Sequence, residues 1–182
     1  KDKFIISSTL YYIMQELTKS EIKEILKKKK LDQKVGWFYI QFKKFFEEEY
    51  VIDDIDLNDA IKNLVNFLRS KKIKKVIFFP EPSFAGIDDD IPSGIIDTDE
   101  LEEFLKENVD TITNSYVADE NLNWIFTITH EDDFFISGSK TLVNDFVKFF
   151  GNAKYTSYKE IEEKWKNISQ PTSGPKFFFR RN

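Results

Sequence analysis

The chain contains no cysteine. That excludes disulfide bonds, thiolate metal sites, iron–sulfur clusters and a cysteine nucleophile, and it fits a reducing, cytoplasmic compartment. Histidine occurs once, at His130, so HExxH and any other two-histidine metal motif are excluded. The six glycines form no GxGxxG, Walker or GxSxG pattern, which removes the usual signatures of dinucleotide, nucleoside triphosphate and serine-hydrolase sites. No apolar run reaches the ~18–20 residues that a helix needs to span a bilayer. The apolar stretch Phe4-Ile5-Ile6 is too short for the core of a signal peptide. Arginine is confined to Arg69, Arg180 and Arg181, whereas Lys, Ile, Phe and Asn abound. Those four belong to A- and T-rich codons, and the composition reads as that of a low-GC bacterial genome.

What is present fits one domain. A chain of 182 residues can bury about two thirds of its unfolded surface and needs no covalent staple. The net charge of −5 is unevenly spread. Residues 1–44 carry a net +6 and residues 139–182 a net +5, while residues 45–138 hold seven basic and twenty-three acidic side chains, a net −16. Between Glu81 and Asp133 the only Lys or Arg is Lys106. Such a field repels nucleic-acid phosphates and attracts a basic protein or a cation. Ordinary solvated loops and helix faces are the plainer account.

Helix starts are well marked. Thr18 with Glu21 forms a capping box for a helix over 19–30, whose terminal lysines suit the negative end of the helix dipole. Asp56 caps a helix with Ile61, Leu64, Val65 and Leu68 on one stripe. Asp97 with Glu100 opens a helix through Asn108, Ser139 opens 140–150 with Gly151 beyond it, and Ser157 with Glu160 opens a last helix through Asn167. A short helix is expected near residues 9–17. Val76-Ile77-Phe78-Phe79 reads as a strand buried on both faces. Residues 124–129 and 134–136 read as a β-hairpin, and 112–118 and 176–180 as further strands. Residues 35–42 suit strand or helix equally. The expectation is a single α+β domain over 1–182. Its mixed or antiparallel sheet has about four to five strands, including a hairpin near 123–137, with about five to six helices, and 171–182 forms a tail or edge strand.

Two loops attract a chemical reading. The hairpin tip His130-Glu131-Asp132-Asp133 could place a general base or metal ligand beside carboxylates; a charged β-turn is the structural alternative. The segment 80–96 carries Asp88, Asp89 and Asp90 after the central strand, where open α/β sheets place ligands; the alternative is a solvent-facing acidic loop. An EF-hand is rejected. Counting from Asp89 puts Gly94 and Glu100 at positions six and twelve, but Ile91 and Ser93 stand where oxygen ligands belong. No catalytic residue, metal or cofactor is assigned.

In size, acidity, α+β mixture and lack of catalytic residues, the chain resembles the small intracellular immunity proteins of low-GC bacteria. The likeness covers overall character only, and no residue is carried over. The reading is therefore a non-catalytic cytoplasmic domain that binds a basic protein partner, and neither nucleic acid nor a membrane. Its acidic face would comprise Asp88, Asp89, Asp90, Asp97, Asp99, Glu100, Glu102, Glu103, Glu131, Asp132 and Asp133. A second contact would be Phe177, Phe178, Phe179 and Arg180, because aromatic and Arg anchors are common interface hot spots. Two alternatives stand beside it. One is a metal-dependent hydrolase using His130 with the 88–90 loop, and the other is a structural or regulatory domain of a larger assembly.

Overall fold

A computed structural model of the chain describes residues 3–6, 11–28, 48–53, 55–80, 93–108, 115–129, 134–150, 154–157 and 160. In chain order the elements are β1 (Lys3–Ile6), β2 (Tyr11–Glu16), α1 (Lys19–Lys28), β3 (Glu48–Asp53), α2 (Leu57–Ser70), β4 (Lys75–Pro80) and β5 (Gly94–Asp97). There follow α3 (Thr98–Glu107), β6 (Ser115–Ala118), β7 (Ile125–Ile128), β8 (Phe134–Gly138), α4 (Lys140–Val147) with a single 3-10 turn at Lys148–Phe150, and β9 (Lys154–Ser157). The strands form one sheet in the order β1-β2-β5-β4-β6-β7-β8-β3-β9. Every pairing is antiparallel.

The domain mixes α and β as expected, but the count is corrected. Among the described residues there are nine strands, seven of them inside the sheet between the edges β1 and β9, and four α-helices. The expected sheet had about half as many strands. The extra strands are short, and four residues such as Gly94–Asp97 cannot display a period of two. The helix expected near 9–17 is instead β2. Tyr11, Tyr12, Ile13 and Met14 make a continuous apolar run that fits either element until a partner strand pairs with it. Residues 35–42 and the helix expected beyond Glu160 lie outside the described residues.

The helix starts follow the side chains that mark them. The Thr18 N–H and hydroxyl both donate to the Glu21 carboxylate at 2.8 Å, and the Glu21 N–H donates back to the Thr18 hydroxyl at 3.2 Å. Those bonds hold the Glu21 carboxyl below its ordinary pKa. At α2, Asp56 accepts from the Asn58 N–H at 2.8 Å. At α4, Ser139 accepts from the Leu142 N–H at 3.4 Å. The start of α3 differs from expectation: Asp97 makes no side-chain cap bond. Thr98 anchors it instead, with its N–H on the Lys74 carbonyl at 2.8 Å and its hydroxyl on the Ile73 carbonyl at 2.7 Å. The end of α2 closes as a Schellman motif. The Ile73 N–H reaches the Leu68 carbonyl and the Lys72 N–H the Arg69 carbonyl, both at 3.0 Å, with Lys72 at φ 56 in the left-handed region.

Alternation along the inner strands builds two cores. Phe78, Val117, Phe126, Ile136 and Tyr50 are successive cross-strand partners, and their row faces α2, α3 and α4. Aromatic edges lock that layer. Phe67 meets Phe146 at 4.7 Å between ring centroids, Phe78 meets Phe104 at 4.9 Å, and Phe146 meets Phe150 at 4.8 Å. Each such contact adds about 0.5–1.5 kcal/mol to the area buried. The other face carries Ile77, Phe79, Tyr116, Ala118, Leu122 and Ile125, covered by Ile22 and Leu26 of α1. Leu122 sits at φ 52 and is 1% exposed; the roughly 1–2 kcal/mol of backbone strain is offset by burying its side chain beneath α1, worth about 2–3 kcal/mol.

Ion pairs tie the helices across the first face. Arg69 Nε lies 3.0 Å from Asp99 Oδ1, joining α2 to α3. Asp145 of α4 takes Lys71 Nζ at 2.6 Å and Lys148 Nζ at 2.7 Å. The two ammonium groups hold the Asp145 carboxyl at about 2, against an ordinary 3.8. A carboxyl depressed on folding stabilises the fold above its unfolded pKa and ceases to do so as pH falls through the folded one. The stability difference between the natural chain and Asp145→Asn is therefore expected to hold constant above pH 5 and to shrink between about pH 4 and pH 2. Urea titrations at stepped pH will show it. Gly94 makes a second test. A Cβ there would lie 2.6 Å from the Gln15 carbonyl oxygen and from Met14 Cγ. Gly94→Ala is expected to destabilise the fold by about 1–3 kcal/mol, measured by denaturant unfolding.

Candidate functional site

Antiparallel pairing sorts the loops between two ends of the sheet. Pro80, the last residue of β4, pairs with Ser115, the first of β6, and Ser115 pairs with Ile128, the last of β7. Ile128 in turn pairs with Phe134, which opens β8, and Phe134 with Ile52 near the end of β3. Gly94 opens β5 opposite Phe78. The stems of the 81–92 connection and of the 130–133 connection thus stand at one end of the sheet, with β6 between them. At the usual strand spacing their stems are roughly 10 Å apart. Three of the chain segments launched or received there, 81–92, 109–114 and 130–133, include Glu81, Asp88, Asp89, Asp90, Asp110, Glu131, Asp132 and Asp133, and no Lys or Arg. Strand β2 also ends there, opposite Gly94, and leads into Lys19 of α1, and β9 begins there with Lys154 opposite Asp53. Asp88, Asp89, Asp90, His130, Glu131, Asp132 and Asp133 themselves lie outside the described residues.

The acidic residues of α3 start from the other end. Asp97 closes β5 opposite Lys75, the first residue of β4, and α3 then runs back along the sheet. Four paired strand residues separate the ends by roughly 10 Å, so the first turn of α3 starts from the end of the sheet opposite the stems of the acidic connections. The α3 carboxylates are also partly engaged. Asp99 holds Arg69, and Glu102 holds Lys106 at 2.7 Å. Asp97 and Glu103 are exposed, and Glu100 is half-buried. Of the acidic residues that sequence groups as one face, Asp97, Asp99, Glu100, Glu102 and Glu103 lie at the start of α3 and along it. Asp119, in the β6–β7 turn at the α3-start end, is used structurally: it accepts from the Asn123 and Trp124 N–H groups and from the Asn123 amide.

The end at which both connections have their stems has one feature the sequence does not announce. Ser115 is 0% exposed, and its hydroxyl is the one buried side-chain polar atom among the described residues without a hydrogen-bond partner. Its neighbours in the sheet, Pro80 and Ile128, have no side-chain polar group to offer. Thr129, which leads out of β7 toward His130, is 3% exposed. A serine in the run Thr-Asn-Ser-Tyr-Val gives no sign of burial.

Comparison with protein families, with curated proteins and with solved structures finds no match. The site is thus read from its own chemistry. Among the described residues no group of three or more His, Asp or Glu side chains could hold a metal ion. No helix there is long and apolar enough to cross a membrane. The placement of a ligand pocket beyond a central strand belongs to parallel sheets. It does not carry over to β4, whose pairings with β5 and β6 are both antiparallel. Phe177, Phe178, Phe179 and Arg180 lie outside the described residues.

Removing a buried hydroxyl that has no partner removes a desolvation cost of about 1–3 kcal/mol. Ser115→Ala is expected to raise stability by about 1 kcal/mol in guanidinium unfolding. A fall in stability would show instead that the hydroxyl makes a bond in solution.

Proposed function

We propose that this chain is a non-catalytic, cytoplasmic protein-binding domain that docks a basic protein partner through the acidic loops at one end of its sheet. An immunity-type protein masking a basic toxin is one such case. The observation that carries this reading is the pairing Pro80–Ser115–Ile128, which leaves the stems of the two acidic connections at one end of the sheet, one strand apart. Neither connection contains a Lys or Arg, and a field of one sign steers an oppositely charged protein at a rate that falls with salt. The carboxylates of α3 contribute less in this reading, because Asp99 and Glu102 already have cationic partners.

The reading predicts a difference between two charge-reversal sets. Replacing Asp88, Asp89, Asp90, Glu131, Asp132 and Asp133 by Lys is expected to slow association with a basic partner at least ~10-fold at low salt and to flatten its salt dependence. Replacing Asp99, Glu102 and Glu103 by Lys is expected to do less. Surface plasmon resonance at stepped ionic strength, with basic proteins captured from the cell of origin, compares them. Equal affinity for every partner in all variants would end the docking reading.

A second reading, a metal-dependent hydrolase using His130, Glu131 and Asp132 with the 88–90 loop, draws support from the same adjacency, since it needs both loops in one cleft. Thermal melts with calcium, magnesium, manganese or zinc distinguish the two, because a ligand that binds only the native state raises Tm. The docking reading expects no metal-specific rise. A rise that disappears in His130→Ala or in the Asp88, Asp89, Asp90 triple Ala variant would favour the hydrolase.

A further inference from the structure

No further inference is drawn: the strongest candidate, the buried and unpartnered Ser115 hydroxyl at the sheet end between Pro80 and Ile128, is a lone polar group bordered by loops outside the described residues, and nothing in the structure shows what would meet it.

Discussion

Burial of β4 on both faces is the constraint on which the other elements depend. Val76 and Phe78 point to one layer and Ile77 and Phe79 to the other, and all four are essentially inaccessible. A strand whose successive side chains point to opposite faces can be buried in this way only if both faces are covered. Helices α2, α3 and α4 cover one, and α1 lies over the β4–β6–β7 part of the other. A one-residue slip in the pairing with β5 or β6 would exchange the two sets and set Phe78 where Phe104 could not reach it. Gly94 protects that register. It is the residue beside Phe78 on β5, and its missing side chain leaves room for Met14 and the Gln15 carbonyl of β2.

The same register organises charge. Because all pairings are antiparallel, the end at which each connection leaves the sheet is fixed by the strand it leaves. The 81–92 and 130–133 connections leave β4 and β7, which are separated only by β6. Helix α3 begins at the end of β5, on the far side. Residues about 40 positions apart in the chain are thereby brought to neighbouring stems, while Asp97, close in sequence to Asp90, starts a helix at the other end. Ion pairs then reduce the field of the helices. Arg69 and Lys106 engage two α3 carboxylates, and Lys71 with Lys148 engages Asp145.

Most helix starts were legible in the sequence and strands only in part, for a physical reason. The strands β4, β6, β7 and β8 were readable, β3, β5 and β9 were not, and β2 read as a helix. A helix start is a local event: Thr18 and Glu21 bond to each other's backbone, and Asp56 and Ser139 cap their own first turns. Asp97 shows the limit of that reasoning, since the start of α3 is held by Thr98 on the Ile73 and Lys74 carbonyls, contacts some 25 residues away in sequence. Short strands such as β5 and β9 have no local signal of comparable strength. Their hydrogen bonds belong to neighbours, and four residues are too few for an alternation to stand out. The hairpin of β7 and β8 was readable because two apolar runs flank a short polar tip. Of the candidate site, the loops and their charge were visible as composition, but the closeness of their stems in the sheet was not, and the burial of Ser115 was invisible.

The sequence by itself determined the class of the domain, the doubly buried strand at residues 76–79, the starts of the helices α1, α2 and α4, and the absence of cysteine chemistry and two-histidine metal motifs. These follow from residue types and from interactions within a few positions along the chain. Only the tertiary structure decided that nine strands of the described residues form one antiparallel sheet, that α1 covers the face opposite α2, α3 and α4, and that α3 starts from the end of the sheet opposite the stems of the 81–92 and 130–133 connections. The reason is that strand order and register are set by pairing between distant segments, and by which side chains fill the space between layers. No local pattern in the chain encodes either.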